Sequence, residues 1–261
     1  MKNPKQFFFD NVIPFLGRVF LAKNKYVNVI YYHDIVKNEG FSLMQMNIDK
    51  FKEQMLYIKT QRYETLRFDD LDNPEHFKFR KKRVVIAFDD GWKSNYSLIF
   101  DWMKDQGIKY NIYLTMGEIG NNPDYLTWQQ VREMHESGIC GFGAHTFTHP
   151  DMSDLSKVDT TVEIQKANER FEQELGYQPT DFCYPFGYYS EASNEWLTKN
   201  TDYHRIYTSA PFFSYQQDKS YIMARQGISN DDTLKAFRNK LNGYLNIYNP
   251  FFESYYKVFP K

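Results

Sequence analysis

The sequence predicts an α/β fold, a (β/α) barrel of about seven parallel strands, and three observations lead there. Short apolar runs alternate along the chain with longer helix-like stretches, the pattern of βαβ units. About seven such runs occur, enough to close or nearly close a parallel ring. No fixed-period repeat, low-complexity tract or Gly/Ser linker interrupts the alternation, so residues 1–261 read as a single domain.

Taken in order, the N-terminus carries Lys2 and Lys5 and an apolar stretch from Phe7 to Leu21 that Asp10, Asn11, Pro14 and Arg18 interrupt. That is too broken for an export signal or a membrane span, so the expected location is cytoplasmic. As a helix, residues 1–22 are amphipathic, with Phe8, Val12, Phe15 and Val19 on one side. Two readings stay open for this helix: a peripheral membrane contact, or packing on the barrel. Strands are expected at Val27–Tyr32, Val84–Phe88, Asn111–Thr115, Cys140–Ala144, Phe182–Tyr184, Tyr203–Tyr207 and Tyr221–Ala224. Helices are expected at Asp49–Lys59, Tyr96–Gln106, Thr127–Ser137, Lys157–Leu175, Ser190–Lys199 and Asp232–Leu241. Thr127 is placed to cap the third helix, and Gly176 to end the fourth in the left-handed conformation. An aromatic segment, 242–261, closes the chain.

Composition narrows function. A formal net charge of -1, from 32 basic and 33 acidic residues, gives no global field toward nucleic acid or an anionic membrane. The aromatic content of 18% suits either a sugar-binding cleft or an aromatic core. Cys140 and Cys183 lie far apart in strand-like sequence and support no disulfide framework.

Parallel barrels carry chemistry where strands end. The run Val84–Phe88 ends in Asp89, Asp90, Gly91 and Trp92, two adjacent carboxylates that need compensation beside a buried strand, although Asp-Gly is also an ordinary turn. The run Cys140–Ala144 ends in His145-Thr-Phe-Thr-His149-Pro150. Pro150 disfavours the helical conformation at His149, so both histidines belong to a loop. One carboxylate and two imidazoles form a facial set able to bind a divalent ion and acidify its water, leaving the other carboxylate to act as base.

In this order, Asp-Asp-Gly, His-Thr-x-x-His and Tyr184-Pro185-Phe186-Gly187 resemble the polysaccharide deacetylases with nodulation-factor (NodB) homology, carbohydrate esterase family 4, over about residues 84–187. The resemblance implies a distorted barrel and an enzyme removing N-acetyl groups from N-acetylhexosamine glycans or their precursors. It implies Asp89 as general base and Asp90, His145 and His149 as metal ligands. The metal expected is zinc, with cobalt, nickel or manganese as alternatives. It further implies the Phe186 backbone N–H as an oxyanion donor. Two departures stand out. The arginine common before the third motif's proline is replaced by Cys183, and Arg225, after its own strand, is the expected substitute. No histidine follows His204, so the usual late general acid is missing. A histidine, His33, instead ends the first strand, an order that resembles the circularly permuted poly-N-acetylglucosamine deacetylase branch, and that resemblance implies His33 as the general acid. Trp92, Tyr188 and Pro185 are assigned to substrate contact, with Tyr189, Trp128 and Phe147 as further rim aromatics. Alternatives are a lipid-linked or nucleotide-linked sugar substrate at a membrane surface, or an inactive carbohydrate-binding barrel.

Overall fold

The computed structural model describes residues 12–15, 27–38, 42, 44–73, 82–209 and 222–244. The helix expected over 1–22 and the aromatic segment 242–261 lie largely outside the described residues. In chain order, β1 (Asn28–Tyr32) precedes a short parallel pair, β2 (Asp34–Val36) and β3 (Gln45–Asn47), then α1 (Ile48–Thr60) and β4 (Glu64–Leu66). Next come β5 (Arg83–Phe88), α2 (Ser94–Ser97), α3 (Phe100–Gln106), β6 (Tyr110–Leu114), α4 (Trp128–Glu136) and β7 (Cys140–Ala144). The last part holds α5 (Lys157–Leu175), β8 (Asp181–Cys183), α6 (Glu191–Asn200), β9 (Arg205–Thr208), β10 (Ile222–Ala224), β11 (Gln226–Gly227) and α7 (Leu234–Leu241).

Nine of these strands form one parallel sheet in the order β10-β9-β8-β7-β6-β5-β1-β11, with β4 attached to β5. The two end strands are halves of one segment: β10 pairs with β9, β11 pairs with β1, and only Arg225 separates them. The last stave therefore switches partner at Arg225 and closes the ring. With β4 outside the ring, nine strands make seven staves. β4 takes the first half of one edge of β5 and β6 takes the end, a shared edge that distorts the barrel.

Strand alternation sorts the side chains. Even-numbered Ile30, Ile86, Phe88 and Ile112 face outward onto Phe51, Met55, Phe100 and Met103 of the helices. Each such fully buried side chain contributes roughly 1.5–3 kcal/mol. Odd-numbered Val29, Val85, Ala87, Tyr113, Cys183 and Tyr207 face inward. Leu66, Phe68 and Leu71 plug the N-terminal end, where Asn111 accepts the Phe68 N–H at 2.8 Å and donates to the Leu66 carbonyl at 3.1 Å.

Helix boundaries follow local chemistry. Thr127 and Gln130 form a capping box at α4, and Gly176 ends α5 at φ 79°. The helix expected over 96–106 is two pieces, α2 and α3, broken at Leu98 and Ile99. The first piece is turned to bring Ser94 Oγ onto Asp34, 2.7 Å away, and onto the Ile35 N–H. No helix among the described residues is long and apolar enough to cross a membrane.

Candidate active site

Extending the odd-numbered, inward-facing rows one step past the strand ends gives His33 after β1, Asp89 after β5, His145 after β7, Ser209 after β9 and Arg225 after β10. Sequence parity and the C-terminal ends of the staves thus gather five polar side chains at one mouth of the barrel.

Arg225 is fully buried and grips Asp89 with both arms, Nη1 to Oδ1 and Nη2 to Oδ2, each at 2.7 Å. Nη2 also donates to Ser209 Oγ at 3.1 Å, and the guanidinium lies over the Tyr31 ring at 4.3 Å. Burial alone would raise the Asp89 carboxyl, but the Arg225 charge outweighs it and holds Asp89 below the ordinary carboxylate range. His33 Nε2 lies 3.8 Å from Asp89 Oδ2. Burial lowers the His33 pKa against the opposing pull of Asp89 and Asp90. Asn95, itself fully buried, fixes the adjacent backbone by donating to the His33 carbonyl at 3.1 Å.

Asp90 turns the other way. Its φ is 74°, so the chain bends sharply after the strand and the carboxylate leaves the interior row. Asp90 Oδ1 lies 3.5 Å from His145 Nε2 and 3.3 Å from His149 Nε2. His145 Nδ1 is 2.7 Å from the Cys183 carbonyl, which can only accept, so Nδ1 carries a hydrogen and Nε2 is the nitrogen turned toward Asp90. Two ring nitrogens and a carboxylate oxygen therefore converge, and Oδ1 is buried without a hydrogen bond of its own. Such a convergence of lone pairs is stable only with a cation or protons among them. The donor set of two imidazoles and one carboxylate fits a divalent cation. Asp89, His145 and Cys183 also cluster, all buried, but Arg225 already occupies both Asp89 oxygens.

The His145–His149 segment is a loop, held in place by α5. Glu163 Oε2 accepts the N–H groups of Phe147 (3.1 Å) and Thr148 (2.9 Å), and Oε1 accepts the Thr148 hydroxyl (2.8 Å). Thr146 Oγ1 accepts the His149 N–H at 3.0 Å, with Thr146 and His149 both left-handed, at φ 66° and 60°. The other wall is Pro185–Gly187, where Phe186 has φ 57° and packs its exposed ring edge-on to His149 at 4.6 Å.

Among residues expected at the rim, Tyr188 and Tyr189 are exposed, whereas Pro185 is buried in the turn and Trp128 is a buried core residue at the start of α4. Trp92 is half-buried and donates its indole N–H to Asp90 Oδ2 at 2.9 Å. Glu163 and Ser209 were not legible as site residues: a helical glutamate and a loop serine carry no distinguishing sequence signal. Arg205, inside an apolar strand, did carry one, because a charge there demands a buried partner. That partner is Asp181, at the opposite end of the barrel.

Residues 77–206 match the family model described as polysaccharide deacetylase. Among relatives, the putative polysaccharide deacetylase YxkH of Bacillus subtilis is 28% identical over 211 residues, covering 80% of this chain and 74% of that protein. The poly-β-1,6-N-acetyl-D-glucosamine N-deacetylase of Staphylococcus aureus is 23% identical over 225 residues, covering 83% and 70%. Among solved structures, the Streptococcus pyogenes deacetylase PplD in complex with acetate superposes with a TM-score of 0.75 at 20% identity, covering 82% of this chain and 97% of that one. IcaB from Ammonifex degensii superposes at 0.69 with 18% identity, covering 84% and 97%. Both structural likenesses concern the fold.

Proposed function

The chain belongs to the polysaccharide deacetylase family and is a carbohydrate N-deacetylase, and from that premise we propose that it hydrolyses the acetamido group of N-acetylhexosamine glycans or their precursors with divalent-metal help. The observation that carries the metal-assisted part is the division of labour between neighbours: Asp89 is clamped by Arg225 while Asp90 faces two histidine nitrogens. One of the two carboxylates is thus placed to move protons and the other to hold a cation. The relative from Staphylococcus aureus, named for poly-β-1,6-N-acetyl-D-glucosamine, makes N-acetylglucosamine polymers the first substrates to test.

Asp90, His145 and His149 would hold the ion, with zinc the first expectation and cobalt, nickel or manganese as alternatives. When bound, it would supply Lewis acidity, polarising an acetamido carbonyl and lowering the pKa of water toward roughly 7. Asp89 accepts the proton of the attacking water, its oxygens oriented by the two arms of Arg225. The backbone N–H of Phe186 donates to the oxygen that gains charge as the carbonyl is attacked. His33, whose Nε2 lies 3.8 Å from Asp89, passes a proton to the leaving sugar nitrogen, which departs as an amine with release of acetate. Tyr188 offers an exposed ring for stacking on a neighbouring sugar, and Pro185 shapes the turn beneath it.

Acetate release from N-acetylated oligosaccharides and glycolipids by the zinc-loaded protein tests this reading. Release from the oligosaccharides is expected, and is lost with His145→Ala. Release from glycolipids alone would move the substrate to a lipid-linked sugar. No release from any member of the panel would sink the proposal.

A further inference from the structure

Asp90 and Trp92 are two residues apart, yet the Trp92 indole N–H reaches Asp90 Oδ2 at 2.9 Å. The turn makes this closure: Asp90 and Gly91 are both left-handed, at φ 74° and 89°. A side chain at Gly91 would be strained at this φ, and its Cβ would lie 2.7 Å from Ile119 Cδ1, which would have to shift. The indole is held from outside the turn as well. It stacks on Tyr125 with centroids 4.6 Å apart and planes 26° from parallel. The two residues also share an antiparallel backbone bridge. On either side, the Leu126 N–H donates to the Gly91 carbonyl and the Lys93 N–H to the Asp124 carbonyl, both at 2.9 Å.

The donor is thus fixed by the fold. With Oδ2 occupied, only Oδ1 of Asp90 remains, and Oδ1 is the atom that both histidine nitrogens approach and that makes no hydrogen bond. We infer that Trp92 is a positioning residue for the metal site: its N–H locks the Asp90 carboxylate so that it presents a single oxygen beside two imidazole nitrogens. A donor set restricted in this way favours borderline ions such as zinc and cobalt over calcium and magnesium, which seek many oxygens. The inference rests on Asp90, His145 and His149 being the ligands, and it withdraws Trp92 from the sugar-stacking role its position in the sequence suggests.

The test is Co²⁺ binding by the full chain, followed by competition with a chromogenic chelator and by visible d–d absorption. Trp92→Phe retains a ring for Tyr125 but lacks the N–H. Its Co²⁺ affinity is expected to fall on the order of 10- to 100-fold, the usual effect of removing a partner behind a ligand. Its d–d spectrum should change as Oδ2 becomes available as a second donor, with the metal-free melting temperature unchanged. Wild-type affinity and spectrum in Trp92→Phe overturn the inference, even if KM for a glycan rises. Should the metal-free protein be destabilised, Tyr125→Leu decides: it frees the indole without removing the N–H, so weaker Co²⁺ binding supports the inference and unchanged binding overturns it. A wild-type chain that takes up no Co²⁺, or a His149→Ala chain that binds it equally well, overturns the three-ligand site and this inference together.

Discussion

Among the described residues, the barrel holds two buried arginine–aspartate pairs built almost alike. At the C-terminal mouth, Arg225 binds both oxygens of Asp89 at 2.7 Å. At the opposite end, Arg205 binds both oxygens of Asp181 at 2.6 and 2.8 Å, and reaches Asp72 and the Phe68 carbonyl as well. Each has a histidine nearby: His33 lies 3.8 Å from Asp89, and His204 lies 3.3 Å from Asp72. What differs is the company. The upper pair adjoins the cluster of Asp90, His145 and His149, in which Asp90 Oδ1 is buried without a hydrogen bond, whereas the lower one adjoins the hydrogen-bonded plug of Phe68 and Asn111. A buried ion pair therefore does not by itself mark a candidate catalytic centre; a cluster of potential metal ligands beside it does.

The sharpest way to break this comparison is at the two histidines. His33→Ala should cut acetate release by roughly 10²- to 10⁴-fold, the range for losing a general acid, with Co²⁺ uptake retained. His204→Ala should leave turnover unchanged. Equal losses, or none, would erase the distinction between the two ends.

The arginines come next. Arg225→Met should lower turnover by about 100-fold, the scale of a misoriented catalytic group, with the metal still bound. Arg205→Met should cost about 3–5 kcal/mol in denaturant unfolding, because Asp181 is left buried and unpaired, while the folded fraction keeps its activity. Adding Asp181→Leu to Arg205→Met should recover most of that stability, since a well-packed apolar pair commonly replaces a buried ionic one. The corresponding double replacement of Asp89 and Arg225 should restore folding without restoring acetate release. Recovery of activity there would remove Asp89 from the mechanism.

Much of the upper site was legible in the sequence because it follows from period two. His33, Asp89, His145 and Arg225 each stand one step beyond an apolar strand run, at the inward parity of that run. The runs themselves locate the seven staves, with shifts of a residue or two at their ends. What the sequence conceals is pairing between distant elements. Nothing local to Arg225 reveals that its stave changes neighbours there, which is what brings its guanidinium to Asp89. β2, β3 and β4 are too short, at three residues each, to form a periodic signal. The break between α2 and α3 is hidden for a related reason. Phe100 and Met103 are buried and Tyr96 is partly buried in the same core, so the apolar period runs across the gap. Trp92 hides a contact of another kind: nothing in its position after the paired carboxylates reveals that its N–H reaches Asp90 Oδ2.

The smallest effect expected is also the most diagnostic of how the upper end is supported. Glu163 reaches the His145–His149 loop from a neighbouring helix and accepts three hydrogen bonds, two of them from backbone N–H groups. Because these contacts are partly exposed, Glu163→Ala should cost only about 1–2 kcal/mol, near the lower end for hydrogen bonds to a charged group. The loss should appear mainly in the metal-loaded protein, since metal binding requires the loop to hold both imidazoles toward Asp90 and the metal-free protein does not. Denaturant unfolding with and without Zn²⁺ separates the two cases. A loss of equal size in both would make Glu163 a general helix–loop contact. A loss confined to the loaded state would show that α5 holds the loop that carries both histidines.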